Sequence, residues 1–306
     1  MTGIAEHDLQ AAIAAWDQAA WSLAALALTA RGDGPTELTA AARDLLAAAG
    51  LPAGPETPLP GLGTAAPGQI ASQAAAALHQ ASALAGGRGY EWGSQSEEAL
   101  VAQGRVSAQR AVTVARFLLP VMGDLAGRLA TPGARLLDVG TGTGALAVAF
   151  AQVFPEVQVL GIDISGRALG LARQAIAISG AGARMTVREQ DVADFADDAG
   201  FDLAWLPAPF LAGPALQVGL PRVVAALRPG GWLIVGHGKS GGTPAQDALT
   251  RLKTLAWGGT PLDDPAACQL LRTAGLASVR TVPTPAGAPA VTIGQNQAGH
   301  RPGGDD

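Results

Sequence analysis

Cysteine is nearly absent from this 306-residue chain, Cys268 being the only one. That excludes a disulfide framework and any zinc or iron–sulfur centre built on several thiolates. Aromatic residues make up 4% and charged residues 15%, so large packing anchors are few and the 48% apolar content rests mostly on small side chains. No Lys/Arg block occurs and the net charge is −5. Without a clustered positive field, nucleic acid is not an expected partner. The N-terminus MTGIAEHDLQ lacks the basic segment and apolar core of a leader. The apolar stretch near 19–30 is too short to span a bilayer, and Asp17, Gln18 and Ser22 interrupt its approach. A soluble cytoplasmic protein with no membrane partner is the expectation.

What is present divides near residue 131. Before it, helical spacing dominates. Leu9, Ile13, Trp16, Leu23 and Leu26 mark a helix over 8–30, ended by Arg31-Gly32-Asp33-Gly34, and a second runs over 38–49. The Pro- and Gly-rich stretch 51–68 reads as a linker, and 69–85 as an Ala-rich helix. Ser94-Gln95-Ser96-Glu97 matches a capping box ahead of a helix that continues to about Leu119, is disturbed at Pro120 and resumes to Ala130. Residues 1–130 are thus expected to form a helical cap or dimerisation region.

Beyond Thr131-Pro132-Gly133, short apolar runs at 135–139, 157–162, 185–187, 201–206 and 232–235 alternate with helical segments at 145–153, 167–178 and 214–227. Continuous apolar strands alternating with helices imply a parallel sheet covered on both faces. The last two runs, Val279–Val282 and Ala290–Ile293, follow one another without a helix between and read as an antiparallel pair. The expected fold is α/β: a seven-stranded, mostly parallel sheet over 131–296 with a final antiparallel strand, preceded by an all-helical region and followed by a disordered tail at 297–306.

The segment carrying chemistry is Leu136-Leu137-Asp138-Val139-Gly140-Thr141-Gly142-Thr143-Gly144-Ala145. It is a buried strand, then a glycine loop opening a helix, where bare backbone can meet a ligand. Asp138 sits at the strand's end, where a pyrophosphate would meet like charge and a cationic sulfonium with an ammonium would be favoured. Asp163 ends the second strand about twenty residues on, placed to accept from ribose hydroxyls. Asp191, after Gln190 and before Val192, follows the third strand, placed for an adenine amino group.

These residues, with Leu227-Arg228-Pro229-Gly230-Gly231-Trp232, resemble the class I S-adenosylmethionine-dependent methyltransferases. The resemblance covers residues 131–296. It implies S-adenosylmethionine as cofactor and S-adenosylhomocysteine as product. It assigns the methionine moiety to Asp138, Gly140, Thr141, Gly142 and Gly144, the ribose to Asp163 with Ile164 beside it, and the adenine to Gln190, Asp191 and Val192, with Leu206 lining the same edge. Two alternatives stay open. An NAD-dependent oxidoreductase fits Gly-x-Gly-x-x-Ala, against Asp138, Asp191 and the lack of a Tyr-x-x-x-Lys pair. A protein that keeps the cofactor fold and catalyses a non-methylating reaction is the other.

Strand four ends Trp205-Leu206-Pro207-Ala208-Pro209-Phe210. Methylases of adenine, cytosine or glutamine nitrogen usually carry Asn/Asp-Pro-Pro-Tyr/Phe/Trp here, and this chain lacks that polar grip. No Asp or Asn follows to hold magnesium, so no metal is expected. A small-molecule acceptor is left, oxygen slightly ahead of carbon or nitrogen as the methylated atom, with Trp205 and Phe210 as pocket walls. Tyr90 and Trp92, in Gly89-Tyr90-Glu91-Trp92-Gly93, are further candidates for a lid. His237, after strand five, is the candidate general base, a loop histidine being the plainer reading. Of Arg105 and Arg110, unequally placed on their helix, one is expected to point inward toward a carboxylate. A homodimer through the helical region is the expected assembly.

Overall fold

The computed structural model describes residues 6–32, 34–50, 67–87, 95–197, 200–284 and 288–297. They form two compact units, one of residues 1–87 with 101–106 and one of 88–100 with 107–306.

The larger unit is built on one seven-stranded sheet: β1 (Arg135–Val139), β2 (Gln158–Asp163), β3 (Met185–Glu189), β4 (Phe201–Pro207), β5 (Leu227–His237), β6 (Ala277–Val282) and β7 (Ala290–Gln295), in the order β3-β2-β1-β4-β5-β7-β6. The first five pair in parallel, and β7 runs antiparallel to both β5 and β6, so the expected antiparallel last strand is present. Chain order reverses on either side of β1, which opens a crevice outside the carboxyl ends of β1 and β4 where open α/β sheets bind ligands.

Strand alternation sorts the core. Leu136, Val159, Leu203, Trp205, Trp232 and Ile234 point to one face, where they pack against α5 (Leu125–Leu129) and α6 (Ala145–Val153) through Leu125, Leu129, Leu146 and Phe150. Leu137, Val139, Leu160, Ile162, Ala204, Leu206, Leu233 and Val235 point to the other, against α8 (Gly213–Ala226) and α10 (Asp264–Thr273) through Leu216, Leu220, Val223 and Leu271. Helices therefore cover both faces, as continuous apolar strands require. α7 (Gly166–Ile178) follows β2 and packs beside α6.

Two helices go beyond the sequence reading. α9 (Pro244–Ala256) and α10 lie between β5 and β6, where no helix was expected. Their starts are written locally: Thr243 and Gln246 make a full capping box, and the Asp263 side chain accepts from the Ala266 amide. In α4 (Glu97–Thr113) the cap is Ser96, whose side chain accepts from the Ala99 amide, and not Ser94, which lies outside the described residues. Beyond α4 the backbone widens into one π turn at Val114–Leu118 and tightens into a 3₁₀ turn at Leu119–Val121, because Pro120 has no amide to continue the ladder. Val114, Leu118, Met122, Leu125 and Leu129 pack with β1 and α6, so residues 107–130 cluster with the sheet and not with the first helices.

In the smaller unit α1 (Glu6–Arg31) packs against α2 (Thr36–Ala48) and α3 (Pro67–Ala85), with Ala25, Ala42 and Leu46 at the centre. The apolar spacing seen along α1 does not mark a core stripe: Ile13, Trp16 and Trp21 are 53%, 65% and 64% exposed. By length and composition the stretch Ala11–Arg31 is long and apolar enough to cross a membrane, in contrast to the shorter run read from the sequence.

Candidate functional site

β1 delivers Asp138 to the carboxyl edge of the sheet, between Gly161 of β2 and Trp205 of β4. The chain then turns through Gly140, Gly142 and Gly144, all left-handed (φ 63°, 56° and 71°), a conformation open to glycine and strained for other residues. Gly144 caps α6. Thr141 is folded back: its amide donates to the Ile162 carbonyl (3.0 Å) and its hydroxyl to Asp138 Oδ2 (2.8 Å). That hydroxyl sits over Gly161, where a Cβ would lie 2.7–2.9 Å from the Thr141 side chain. Glycine in the middle of β2 is thus what allows the loop to seat.

Asp138 is 1% exposed. Burial pushes its carboxyl up to about 7, and the like charge of Asp163 adds to the rise, against the Thr141 hydrogen bond and the positive charge of Arg110. Arg110, near the end of α4, feels the same environment. Burial pulls its guanidinium down to about 10, opposed by the charge of Asp138, and its cationic carbon lies 5.9 Å from the Trp205 ring centroid. Nη1 donates to Ser107 Oγ (2.6 Å). Of the two arginines expected to compete for the inward position, Arg110 takes it and Arg105 is exposed.

Asp163 closes the loop. Oδ2 accepts from the Gly142 amide and Oδ1 from the Ser165 amide, both at 2.8 Å. Burial pushes this carboxyl up too, opposed by the backbone donors of Ser165, Gly142 and Ile164. A carboxylate with about four acceptor sites keeps capacity beyond these backbone donors for a ribose hydroxyl. Ile164, next along, is 72% exposed, an apolar surface suited to one face of a flat ring. Asp191 Oδ1 accepts from the Ala193 amide (2.8 Å), and its other oxygen is left for an amino group. The Gln190 amide donates to the Asp163 carbonyl (2.9 Å), which ties the third acid to the second. Val192 is buried against Gly219 of α8, and its carbonyl accepts from the Phe195 amide (3.2 Å). Leu206 is fully buried in the core, so its expected side-chain contact with cofactor is replaced by packing.

A cationic nucleoside fits this set: an open glycine cradle, a buried carboxyl for positive charge, an acid pair with free lone pairs and an exposed apolar side chain. The negative cradle suits a pyrophosphate poorly.

Beside it, at the ends of β4 and β5, lies a cavity of about 300 Å³ walled by Arg110, Trp205, Pro207, Phe210, Lys239, Lys253 and Trp257, with His237 on its side. Trp205 and Phe210 both line it. Trp257 was not foreseen: it stacks on Phe210 at 4.9 Å between ring centroids, 19° between planes. The turn after it is pinned to the end of β4, the Thr260 amide donating to the Ala208 carbonyl (3.0 Å) and the Thr260 hydroxyl to the Leu211 carbonyl (2.8 Å). Gly259 makes that approach possible, since a Cβ there would fall 1.9 Å from the Pro209 oxygen. Tyr90 and Trp92 lie outside the described residues.

The geometry does not support His237 as a general base. It shares strand parity with Leu233 and Val235, the face opposite Trp205. Its imidazole is 0% exposed. Nδ1 donates to the Gly238 carbonyl (3.1 Å) and Nε2 accepts from the Thr292 hydroxyl (2.9 Å), a tautomer fixed by Nδ1 meeting only acceptors, with Asp264 at 3.9 Å. Burial holds its pKa below the ordinary histidine range. Both nitrogens are occupied on a neutral ring.

Fold and site together define a Rossmann-like methyltransferase domain of class I. The family model described as "Methyltransferase domain" matches residues 136–231, and the chain carries an S-adenosylmethionine-dependent domain of this kind. A release factor glutamine methyltransferase of Rhodopirellula baltica is 32% identical over 122 residues, 39% of this chain and 41% of that protein. One from Xylella fastidiosa is 29% identical over 186 residues, 53% and 59% of the two. The chain thus spans well under two thirds of these curated relatives. Among solved structures, an O-methyltransferase family protein from Burkholderia thailandensis superposes with TM-score 0.61 at 18% identity, covering 98% of this chain and 100% of that one. Mitomycin 7-O-methyltransferase does so with TM-score 0.61 at 19% identity, covering 95% and 99%. At such identity these two likenesses speak for the fold.

Proposed function

We propose that this protein transfers the methyl group of S-adenosylmethionine to a small-molecule acceptor, with oxygen as the favoured atom. The observation that carries this reading is the end of β4. In place of a polar side chain to hold an amide or amino nitrogen, the segment Pro207-Ala208-Pro209-Phe210 gives Pro207, Pro209 and Phe210 to the wall of an aromatic cavity beside the glycine loop. The full-length likeness to proteins named as O-methyltransferases supports it. The sequence relatives that methylate release factors align with the shared domain over part of their length.

When bound, the cofactor supplies an electrophilic methyl carbon on a sulfonium. The chain's part is placement and exclusion of water, which carry most of the acceleration in such a displacement. Asp138 sets a negative potential at the edge of the site, Asp163 and Gly142 fix the loop, and Trp205, Phe210 and Trp257 wall the acceptor's space. With His237 neutral and occupied, a hydroxyl acceptor gives up its proton to solvent, or binds already ionised.

The helical region is read as a dimer contact, supported by the exposed Ile13, Trp16 and Trp21; Trp16→Ser with Trp21→Ser should shift the chain to a smaller species in size-exclusion chromatography. The activity is tested with methyl-labelled S-adenosylmethionine offered to a panel of phenols and aromatic acids and, in parallel, to a bacterial release factor. Label in organic-extractable small molecules is expected. Label confined to the release factor's glutamine would overturn the proposal.

A further inference from the structure

A hydroxyl entering the aromatic cavity meets no carboxylate and no open imidazole. Among the described residues no Asp or Glu lines it, and both ring nitrogens of His237 are held in hydrogen bonds. Its cations are Arg110, Lys239 and Lys253. Lys239 Nζ donates to the Thr284 carbonyl (3.1 Å), and Lys253 stands in the last turn of α9, one turn from Trp257. Arg110 differs from both in standing between this cavity and the cofactor cradle, since it lines the one and feels the charge of Asp138 in the other.

Arg110 arrives in the last turn of α4. Nη1 donates to Ser107 Oγ (2.6 Å), one turn back, and a guanidinium has further N–H donors in the same fork. Its carbon lies 5.9 Å from the Trp205 ring centroid. Trp205 is itself fixed, buried in the core with its ring over Gly236, where a Cβ would lie 3.0 Å away. A planar cation beside a fixed ring is held in place before any ligand arrives. At about 10 it is protonated at neutral pH. The Asp138 carboxyl accepts from Thr141 through Oδ2 and is pushed up to about 7, so it offsets part of the guanidinium's charge.

We propose that Arg110 binds the acceptor oxygen in its ionised form, donating to a phenolate whose ring lies against the stacked pair Phe210 and Trp257. The O–H bond breaks with its electron pair left on oxygen and its proton released to solvent, so the cavity needs a cation in place of a base. A charge-assisted bond to the anion favours it over the neutral hydroxyl, and a hydroxyl on a planar ring gives up its proton more readily than an aliphatic one. This rests on the methyl-transfer reading for the word acceptor, whereas the preference for an oxyanion belongs to Arg110 and the cavity.

The test is calorimetry of the full chain with para-nitrophenol, at a pH where it is ionised, and with para-nitroanisole, the same ring with its oxygen capped, each with and without S-adenosylhomocysteine. The phenolate should bind about tenfold tighter or better than the ether, the scale of hydrogen bonds to a charged group. Arg110→Gln should remove most of that preference and Arg110→Lys should restore part of it. A second measurement needs no variant: near neutral pH, binding to the native chain should raise the visible band of para-nitrophenolate. Equal binding of the two ligands, binding of neither, a band that stays or falls, or a preference that survives Arg110→Gln would overturn the inference. Absence of S-adenosylhomocysteine binding with the phenolate preference intact would instead remove the methyl-transfer reading and leave the oxyanion site standing.

Discussion

The buried carboxyl of Asp138 makes the fold less stable as pH rises, and asparagine in its place should relieve this. Below about pH 4 the side chain is protonated in folded and unfolded chains alike. Between its ordinary value of 3.8 and about 7, the unfolded chain ionises while the folded chain keeps its proton, so stability falls steadily. Above about 7 both are ionised and the whole penalty is in place. At about 1.4 kcal/mol for each pH unit between the two values, it approaches roughly 4 kcal/mol. Asn keeps an oxygen for the Thr141 hydroxyl and never ionises.

Chemical denaturation of the native chain and Asp138→Asn, at intervals from pH 5 to 8.5, measures this directly. His237 titrates with the opposite sign: its folded pKa is depressed, so its contribution is lost as pH falls below about 6.5. It is common to both chains and cancels in their difference. The variant's advantage should grow by roughly 2–3 kcal/mol across the range, less than the full penalty because about one pH unit of it is already in place at pH 5. A difference that stays flat with pH, or that turns against asparagine above pH 7, refutes the account. The same substitution should weaken S-adenosylmethionine more than S-adenosylhomocysteine, since only the former carries sulfonium charge for the carboxylate to meet.

Three further expectations follow from named contacts. Asp163→Ala removes the acceptor for the Gly142 amide and for a ribose diol, and should weaken S-adenosylhomocysteine by roughly 1.5–3 kcal/mol, the range for bonds to a charged group; unchanged affinity by calorimetry contradicts the assignment. Gly161→Ala drives a methyl into Thr141 and should cost about 1–3 kcal/mol in unfolding measurements, as overpacking does, with cofactor affinity falling alongside. His237→Gln should retain turnover at saturating acceptor while lowering stability, because the ring's bonds to Gly238 and Thr292 are structural; turnover lost by more than about a hundredfold, the scale of general-base catalysis, would return it to the role of base.

The cofactor half was legible because its parts are contiguous. A strand, its terminal acid and the following glycines occupy ten residues, and acids at the next two strand ends are fixed by counting along the sheet. The acceptor half was legible only where it is carried by β4. Period two tells which residues share a face, but it does not tell which face holds the ligand, and His237 was placed at the correct edge without regard to Thr292, 55 residues away. α9 was hidden because its leucines do not report a core: Leu249, Leu252 and Leu255 are about half exposed, and only the Thr243–Gln246 box marks its start. With α9 unread, Lys253 and Trp257 had no position.

An acidic balance spread over a chain says little of any one cavity, because the local potential is set by the few groups facing it within about 10 Å, the screening length near 0.1 M salt. Here the acids that matter to the cofactor stand at the ends of β1, β2 and β3, and both lysines stand at the ends of β5 and α9. The carboxyl edge of the sheet thus carries its acids beside the glycine loop, while Lys239 and Lys253 line the neighbouring cavity.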